Sequence, residues 1–144
     1  CKIKKKVVEK DEKETALRKV LNFGHTFAHA YEAGLSYSHK LNHGEAVILG
    51  MKTALNFSLR ENMLSKNEYN LIINHIDNSS LPSSIKKHFS IKDLNKILSF
   101  MIKDKKNNSE KINLVLLKKI GKPIFNKQYS KKKINLFLRK FLTN

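Results

Sequence analysis

Apolar residues recur along this chain at helical intervals, and polar breaks separate the runs. Leu17, Val20, Leu21, Phe27 and Tyr31 form one such stripe, which predicts a helix from about Ala16 to Ala33. Thr15 opens it, because its hydroxyl can accept an orphaned backbone N–H. Gly24 interrupts it at a cost of about 1 kcal/mol relative to alanine, so it marks a bend or a point of close approach. After a polar loop over residues 34–42, Ala46, Val47, Leu49, Gly50, Ala54 and Leu55 predict a second long helix, from His43 or Gly44 to about Asn62. Its broad apolar face of small residues is that of a helix packed against neighbours.

Ser65-Lys-Asn-Glu68 has the form of a capping box and predicts a third helix ending near Asn78. Leu81-Pro82 turns the chain. Ser90-Ile-Lys-Asp93 repeats the start signal, and Leu94, Ile97, Leu98 and Met101 carry that helix to about Lys103. A polar loop follows over residues 104–109. Lys111–Leu117 is the best strand candidate, Gly121-Lys-Pro123 turns it, and Ile124-Phe125 predicts a short return strand. Ser130 caps a last helix with Ile134, Phe137, Leu138 and Phe141 on one side. Lys2–Glu9 reads equally as helix or strand. There is no internal repeat and no linker, so the fold class is mainly α: one multi-helix domain with a single small β-hairpin.

Composition changes this picture little. The 144 residues suffice for one domain with a real core. The single Cys1 rules out an internal disulfide, and no apolar run approaches the roughly 18 residues of a membrane span. With no signal peptide in view, a reducing, cytoplasmic setting is expected. The net charge of +17 invites a nucleic-acid reading. Yet only Arg18, Arg60 and Arg139 among the 29 basic residues are arginine, the side chain suited to bidentate recognition of bases and phosphates. The lysines spread over the whole chain. We therefore expect no nucleic-acid partner and no membrane, and assign the positive field to a small anionic substrate.

Candidate chemistry lies in Arg18-Lys-Val-Leu-Asn22-Phe-Gly24-His25-Thr-Phe-Ala28-His29-Ala-Tyr-Glu32 and in His43-Gly44-Glu45-Ala46-Val47. Residues four apart share one helix face, so His25 and His29 can point at one site, and imidazole is a common zinc ligand. Thr26 follows His25 where the metalloprotease motif has glutamate, which disfavours a zinc protease. The helix after the loop can deliver a third imidazole, from His43 or from His39 in the loop. Glu32 and Glu45 are each a candidate ligand or an orienter of a ligating ring. His75 and His88 read as structural.

These two motifs, with Gly50-Met51, closely resemble the C-terminal domain of 3-dehydroquinate synthase. Upstream, Ile3-Lys4-Lys5-Lys6-Val7-Val8 and Asp11-Glu12-Lys13-Glu14 match the block that precedes them in that family. Downstream, Asp104-Lys105-Lys106, Leu114–Leu117 and Ile120-Gly121 match a third. The likeness covers almost the whole chain in order, and the pairing of Asn-Phe-Gly-His-Thr with His-Gly-Glu-Ala-Val is its most specific part. Ala28 stands where the family usually has glycine, which is expected to tighten the space beside the metal. Asn42 stands where a large apolar residue is common.

The resemblance implies conversion of 3-deoxy-arabino-heptulosonate 7-phosphate to 3-dehydroquinate and phosphate, in the shikimate route to aromatic amino acids. It implies a divalent metal (Zn2+ or Co2+) and catalytic NAD. By the same carry-over His25 and His43 are metal ligands, His29 transfers protons and Glu14 has an acid–base role. Lys4, Arg18, Asn22 and Lys105 bind substrate, with Lys106 replacing Lys105 if the register slips by one. Arg18, Asn22 and His25 are then expected to line one helical face. The family's third metal ligand is a glutamate upstream of the Lys4 block, and its NAD site is a separate nucleotide-binding domain. We therefore expect residues 1–144 to form a single C-terminal domain of a longer enzyme, inactive alone, whose partners are an N-terminal domain, a sugar phosphate and a second protomer. The alternatives are another sugar-phosphate cyclase of inosose or valiolone type, a glycerol-dehydrogenase-like enzyme, a detached non-catalytic binding domain, and a basic nucleic-acid binder.

Overall fold

The structure, a computed structural model, describes residues 2–13, 17–79, 81, 84–103 and 111–143. The α-helices are α1 (Lys2–Lys10), α2 (His25–Gly34), α3 (His43–Arg60), α4 (Lys66–Asp77), α5 (Leu94–Lys103) and α6 (Lys131–Thr143). Short 3-10 helices span Leu17–Asn22, Ile85–Lys87 and Ile91–Asp93. One antiparallel hairpin joins β1 (Lys111–Lys119) to β2 (Lys122–Ser130). The architecture is the mainly helical domain with one small hairpin that the hydrophobic pattern predicts.

Helices α2 and α3 form the central pair. Phe27, Ala28 and Tyr31 of α2 and Ala46, Leu49, Ala54 and Phe57 of α3 are almost wholly buried. Each large side chain of this kind stabilises the fold by about 1.5–3 kcal/mol. Helix α5 packs on α2, the hairpin covers α3, and α6 closes over α5 and β2. The Phe57 ring meets Phe137 of α6 at 4.7 Å and Tyr129 of β2 at 4.8 Å, both edge to face, a favoured aromatic arrangement.

The start signals act as read. Ser65 Oγ accepts the Glu68 N–H at 3.3 Å, Ser90 Oγ accepts from Lys92, and Ser130 Oγ accepts from Lys133. Lys2–Lys10 resolves as helix. The expected polar loop at residues 104–109 and the Thr15 cap lie outside the described residues.

Two expectations need correction. The single helix from Ala16 to Ala33 is two pieces: a 3-10 turn over Leu17–Asn22, then α2 from His25. Gly24 between them has φ +81°, a left-handed conformation that breaks a right-handed helix. A side chain there would also collide with the Met51 backbone nitrogen, 2.5 Å from where its Cβ would stand. Gly24 is thus both bend and close approach. The second correction concerns the return strand, which runs nine residues rather than two. Its register slips between Leu114↔Lys127 and Leu116↔Ile124, and Asn126 adopts φ +61° there. That bulge, with Asn126, Lys127 and Gln128 exposed, hid the strand from the apolar pattern.

The hairpin is fastened to the helices by polar bonds. Ser58 Oγ donates to the Ala54 carbonyl at 2.8 Å and accepts the Leu117 N–H at 3.1 Å. Glu68 Oε1 accepts the Ile120 N–H at 3.1 Å.

Candidate functional site

Three histidines converge at the open end of the α2–α3 pair. Helix α2 carries His25 and His29 one turn apart, with ring centres 5.7 Å from each other. His43, the first residue of α3, brings its ring to 6.2 Å from His25 and 6.5 Å from His29. The ring that meets both is His43, while His39 sits exposed in the loop. That loop holds Ser36 and Tyr37 at φ +55° and +53°. Left-handed backbone at two consecutive non-glycine residues costs of order 1 kcal/mol each and is concentrated at functional sites.

The two sequence-candidate carboxylates have different tasks. Glu45 Oε2 accepts the Asn42 N–H at 2.8 Å and completes the start of α3. Glu32 Oε1 lies 3.0 Å from Nδ1 of His43. A carboxylate only accepts, so a neutral His43 ring carries its hydrogen on Nδ1 and its lone pair on Nε2. His25 Nδ1 faces the Phe23 carbonyl at 3.4 Å. Both rings thus turn Nδ1 toward a protein acceptor, as a metal-binding histidine usually does.

Among the described residues, no group of three or more His, Cys, Asp or Glu side chains is arranged to hold a metal ion. Two imidazoles bound to one zinc through nitrogens about 2.0–2.1 Å away have ring centres about 5 Å apart. The 5.7 Å between His25 and His29 and the 6.2 Å between His25 and His43 are both somewhat longer than that value. The donor set fits a divalent cation of nitrogen preference, as two ligands that need at least one more from elsewhere.

The polar groups before α2 are placed by Asp11, whose role the sequence did not disclose. Buried at 9% exposure, its Oδ2 accepts the Arg18 N–H at 2.8 Å. The Arg18 guanidinium donates to the Glu12 carbonyl at 2.9 Å. An acidic run reads as a solvated turn, and only its burial reveals the fastener. Arg18 and Asn22 lie on the 3-10 turn, offset from α2 by the Gly24 bend. The expected single helical face through Arg18, Asn22 and His25 therefore does not form. Lys4 stands exposed on α1, which contacts that turn. Glu14 and Lys105, with Lys106, lie outside the described residues.

Beside the histidines opens a cleft of about 490 Å³, lined by Lys19, Asn22 and Thr26 on one wall and Asn113, Phe125 and Asn126 on the other. Asn22 belongs to its lining; the histidines do not. Lys19 Nζ donates to Asn126 Oδ1 at 3.3 Å, and Thr26 Oγ1 donates to the Asn113 carbonyl at 3.2 Å. Ala28 points elsewhere: it is fully buried with its methyl against Gly50. The expected crowding beside the metal is thus replaced by crowding between two helices.

The fold is shared with solved synthase structures. The chain superposes on 2-deoxy-scyllo-inosose synthase, crystallised with carbaglucose-6-phosphate, NAD+ and Co2+, with a TM-score of 0.75 at 23% identity, covering 96% of this chain and 38% of that one. It superposes on 2-epi-5-epi-valiolone synthase from Streptomyces hygroscopicus subsp. jinggangensis 5008, with NAD+ and Zn2+ bound, with a TM-score of 0.69 at 20% identity, covering 94% and 36%.

Sequence narrows the class. Residues 1–107 match the family described as 3-dehydroquinate synthase C-terminal, and the chain belongs to that family. It is 64% identical over 143 residues to the 3-dehydroquinate synthase of Pelagibacter ubique (strain HTCC1062), covering 99% of this chain and 39% of that protein. Against the enzyme of the same name from Endomicrobium trichonymphae it is 43% identical over 125 residues, covering 86% and 33%. The chain therefore spans roughly two fifths or less of the curated relatives it matches. No helix among the described residues is long and apolar enough to cross a membrane.

Proposed function

We propose that this chain is the metal- and substrate-binding part of a 3-dehydroquinate synthase, a lyase that converts 3-deoxy-arabino-heptulosonate 7-phosphate to 3-dehydroquinate and phosphate in the shikimate pathway. The observation that carries the reading is the meeting of His25, His29 and His43 within 6.5 Å in a chain of this family. His25 and His43 hold a divalent cation, Zn2+ or Co2+. When bound, the cation supplies Lewis acidity toward substrate hydroxyls. NAD, held by a nucleotide-binding domain outside these residues, supplies a reversible hydride acceptor.

The chain's own residues bind, orient and move protons. Arg18 and Lys4, with Lys105, balance the negative charge of the substrate's carboxylate and phosphate. Asn22, on the rim of the cleft, offers an amide to a substrate hydroxyl. A ring nitrogen of His29, on the exposed side of α2, takes and returns the proton of the reacting hydroxyl. Glu14 is assigned a second acid–base role by position in the family motif alone. The enzyme works in the cytoplasm as a homodimer.

The test uses the natural full-length polypeptide containing these residues, loaded with Zn2+ and NAD and supplied with the heptulosonate phosphate. Phosphate and 3-dehydroquinate should appear in equal amounts. His29→Ala should lower turnover by about 100-fold or more, the scale of general acid–base catalysis, with Zn2+ still bound. The isolated 144 residues should bind zinc weakly and release no phosphate. Turnover of an inosose or valiolone precursor in place of the heptulosonate would overturn the substrate assignment, and phosphate release by the isolated chain would overturn the division of labour.

A further inference from the structure

Glu32 has no place in the chemistry proposed above, yet its carboxylate touches one of the candidate metal ligands. Its side chain is 13% exposed, against 63% for the His43 ring it contacts at 3.0 Å. It belongs to the same α2 face as His25 and His29, three residues beyond His29. It therefore reaches from the helix carrying one candidate ligand to the residue carrying the other. The contact spans the strained loop at Ser36 and Tyr37, whose Tyr37 N–H returns to the Glu32 backbone carbonyl at 2.8 Å. Side chain and main chain of one residue thus brace both ends of the connection.

We propose that Glu32 is a positioning residue for the metal site. It fixes the His43 ring with hydrogen on Nδ1 and the lone pair of Nε2 turned toward a divalent cation shared with His25. The inference rests on the metal-site reading above. Its physical basis is that an exposed histidine at the first position of a helix has free choice of rotamer and tautomer. A largely buried carboxylate acceptor removes both freedoms before the cation arrives and raises the basicity of the ligating nitrogen.

The test titrates the natural full-length polypeptide with Co2+ alone, reading affinity by chelator competition and geometry by the visible d–d absorption. Nitrogen-15 shifts of the metal-free protein report the His43 tautomer. Glu32→Ala should weaken Co2+ binding by about 10–100-fold and release His43 to a mixture of tautomers. Glu32→Gln should be milder, because its amide oxygen still accepts from Nδ1–H, and its near-identical shape guards against misfolding. Co2+ affinity in Glu32→Ala within about twofold of wild type, with His43→Ala losing the ion, would overturn the role of Glu32 alone. His43→Ala binding Co2+ as the wild type does would overturn the metal-site reading and this one together. A metal-free wild type with the His43 hydrogen on Nε2 would overturn the Glu32 inference directly.

Discussion

Gly24 and Gly50 meet backbone to backbone: the Gly24 carbonyl occupies the space a Gly50 side chain would need. This contact sets how closely α2 approaches α3, and with it the distance from His25 to His43. Ala28 adds to the same seam, its backbone nitrogen 2.9 Å and its Cβ 3.2 Å from where a Gly50 Cβ would stand.

Gly50→Ala should therefore destabilise the fold by about 2–3 kcal/mol, the usual scale of overpacking, and weaken Co2+ binding by prying the two histidines apart. Ala28→Gly should cost about 1 kcal/mol of helix propensity and about as much again for the lost buried methyl, and leave metal affinity unchanged. Denaturant melts beside Co2+ titrations separate the two. A Gly50→Ala protein as stable as wild type would show that the seam is not close-packed.

Inside the same helix pair, Tyr31 is fully buried and burial pushes its phenol well above the ordinary range. Its hydroxyl lies 2.8 Å from Thr53 Oγ1, which itself donates to the Leu49 carbonyl at 2.8 Å. Tyr31 must then be the donor, in a chain from phenol to hydroxyl to carbonyl. Tyr31→Phe should cost about 1 kcal/mol and lower the melting temperature by about 3 °C. It should also leave the Thr53 hydroxyl still bonded to Leu49. Thermal melts check the first figure, and deuterium exchange at the Thr53 hydroxyl checks the second.

Glu68 links acidity to the fastening of the hairpin. The Ile120 N–H, then the Ser65 hydroxyl at 2.8 Å, hold its carboxyl below the usual glutamate range. Because the folded value is the lower one, the stabilisation is complete above the ordinary carboxylate range. It is lost as pH falls through the depressed value. Glu68→Gln should melt earlier than wild type at pH 7, with the gap closing as pH falls through and below the ordinary glutamate range. A gap that stays constant across that range would rule the linkage out.

Signals that act over three or four residues were legible in the sequence. The serine caps at 65, 90 and 130 fixed where helices begin, because a cap bonds only its own first turn. The histidine pair on α2 was legible too, since residues four apart share a helix face, whereas spacing narrowed the third imidazole only to His43 or His39. What stayed hidden depends on contacts across the fold. The sequence marked Gly24 as a bend or a close approach but left the helix running through it, because the backbone it packs against belongs to Met51, far along the chain. Polar Asn126 and Gln128 concealed a strand held by pairing rather than by burial. Asp11 looked like part of a solvated acidic run until the Arg18 N–H was seen on its carboxylate.

The three histidines come from residues 25–43 alone, whereas the cleft beside them is sealed by Thr26 on Asn113, 87 positions away. Closing a longer loop costs more chain entropy. The imidazole cluster therefore depends only on the docking of one helical hairpin, whereas the cleft wall depends on β1 reaching α2 from the far end of the chain.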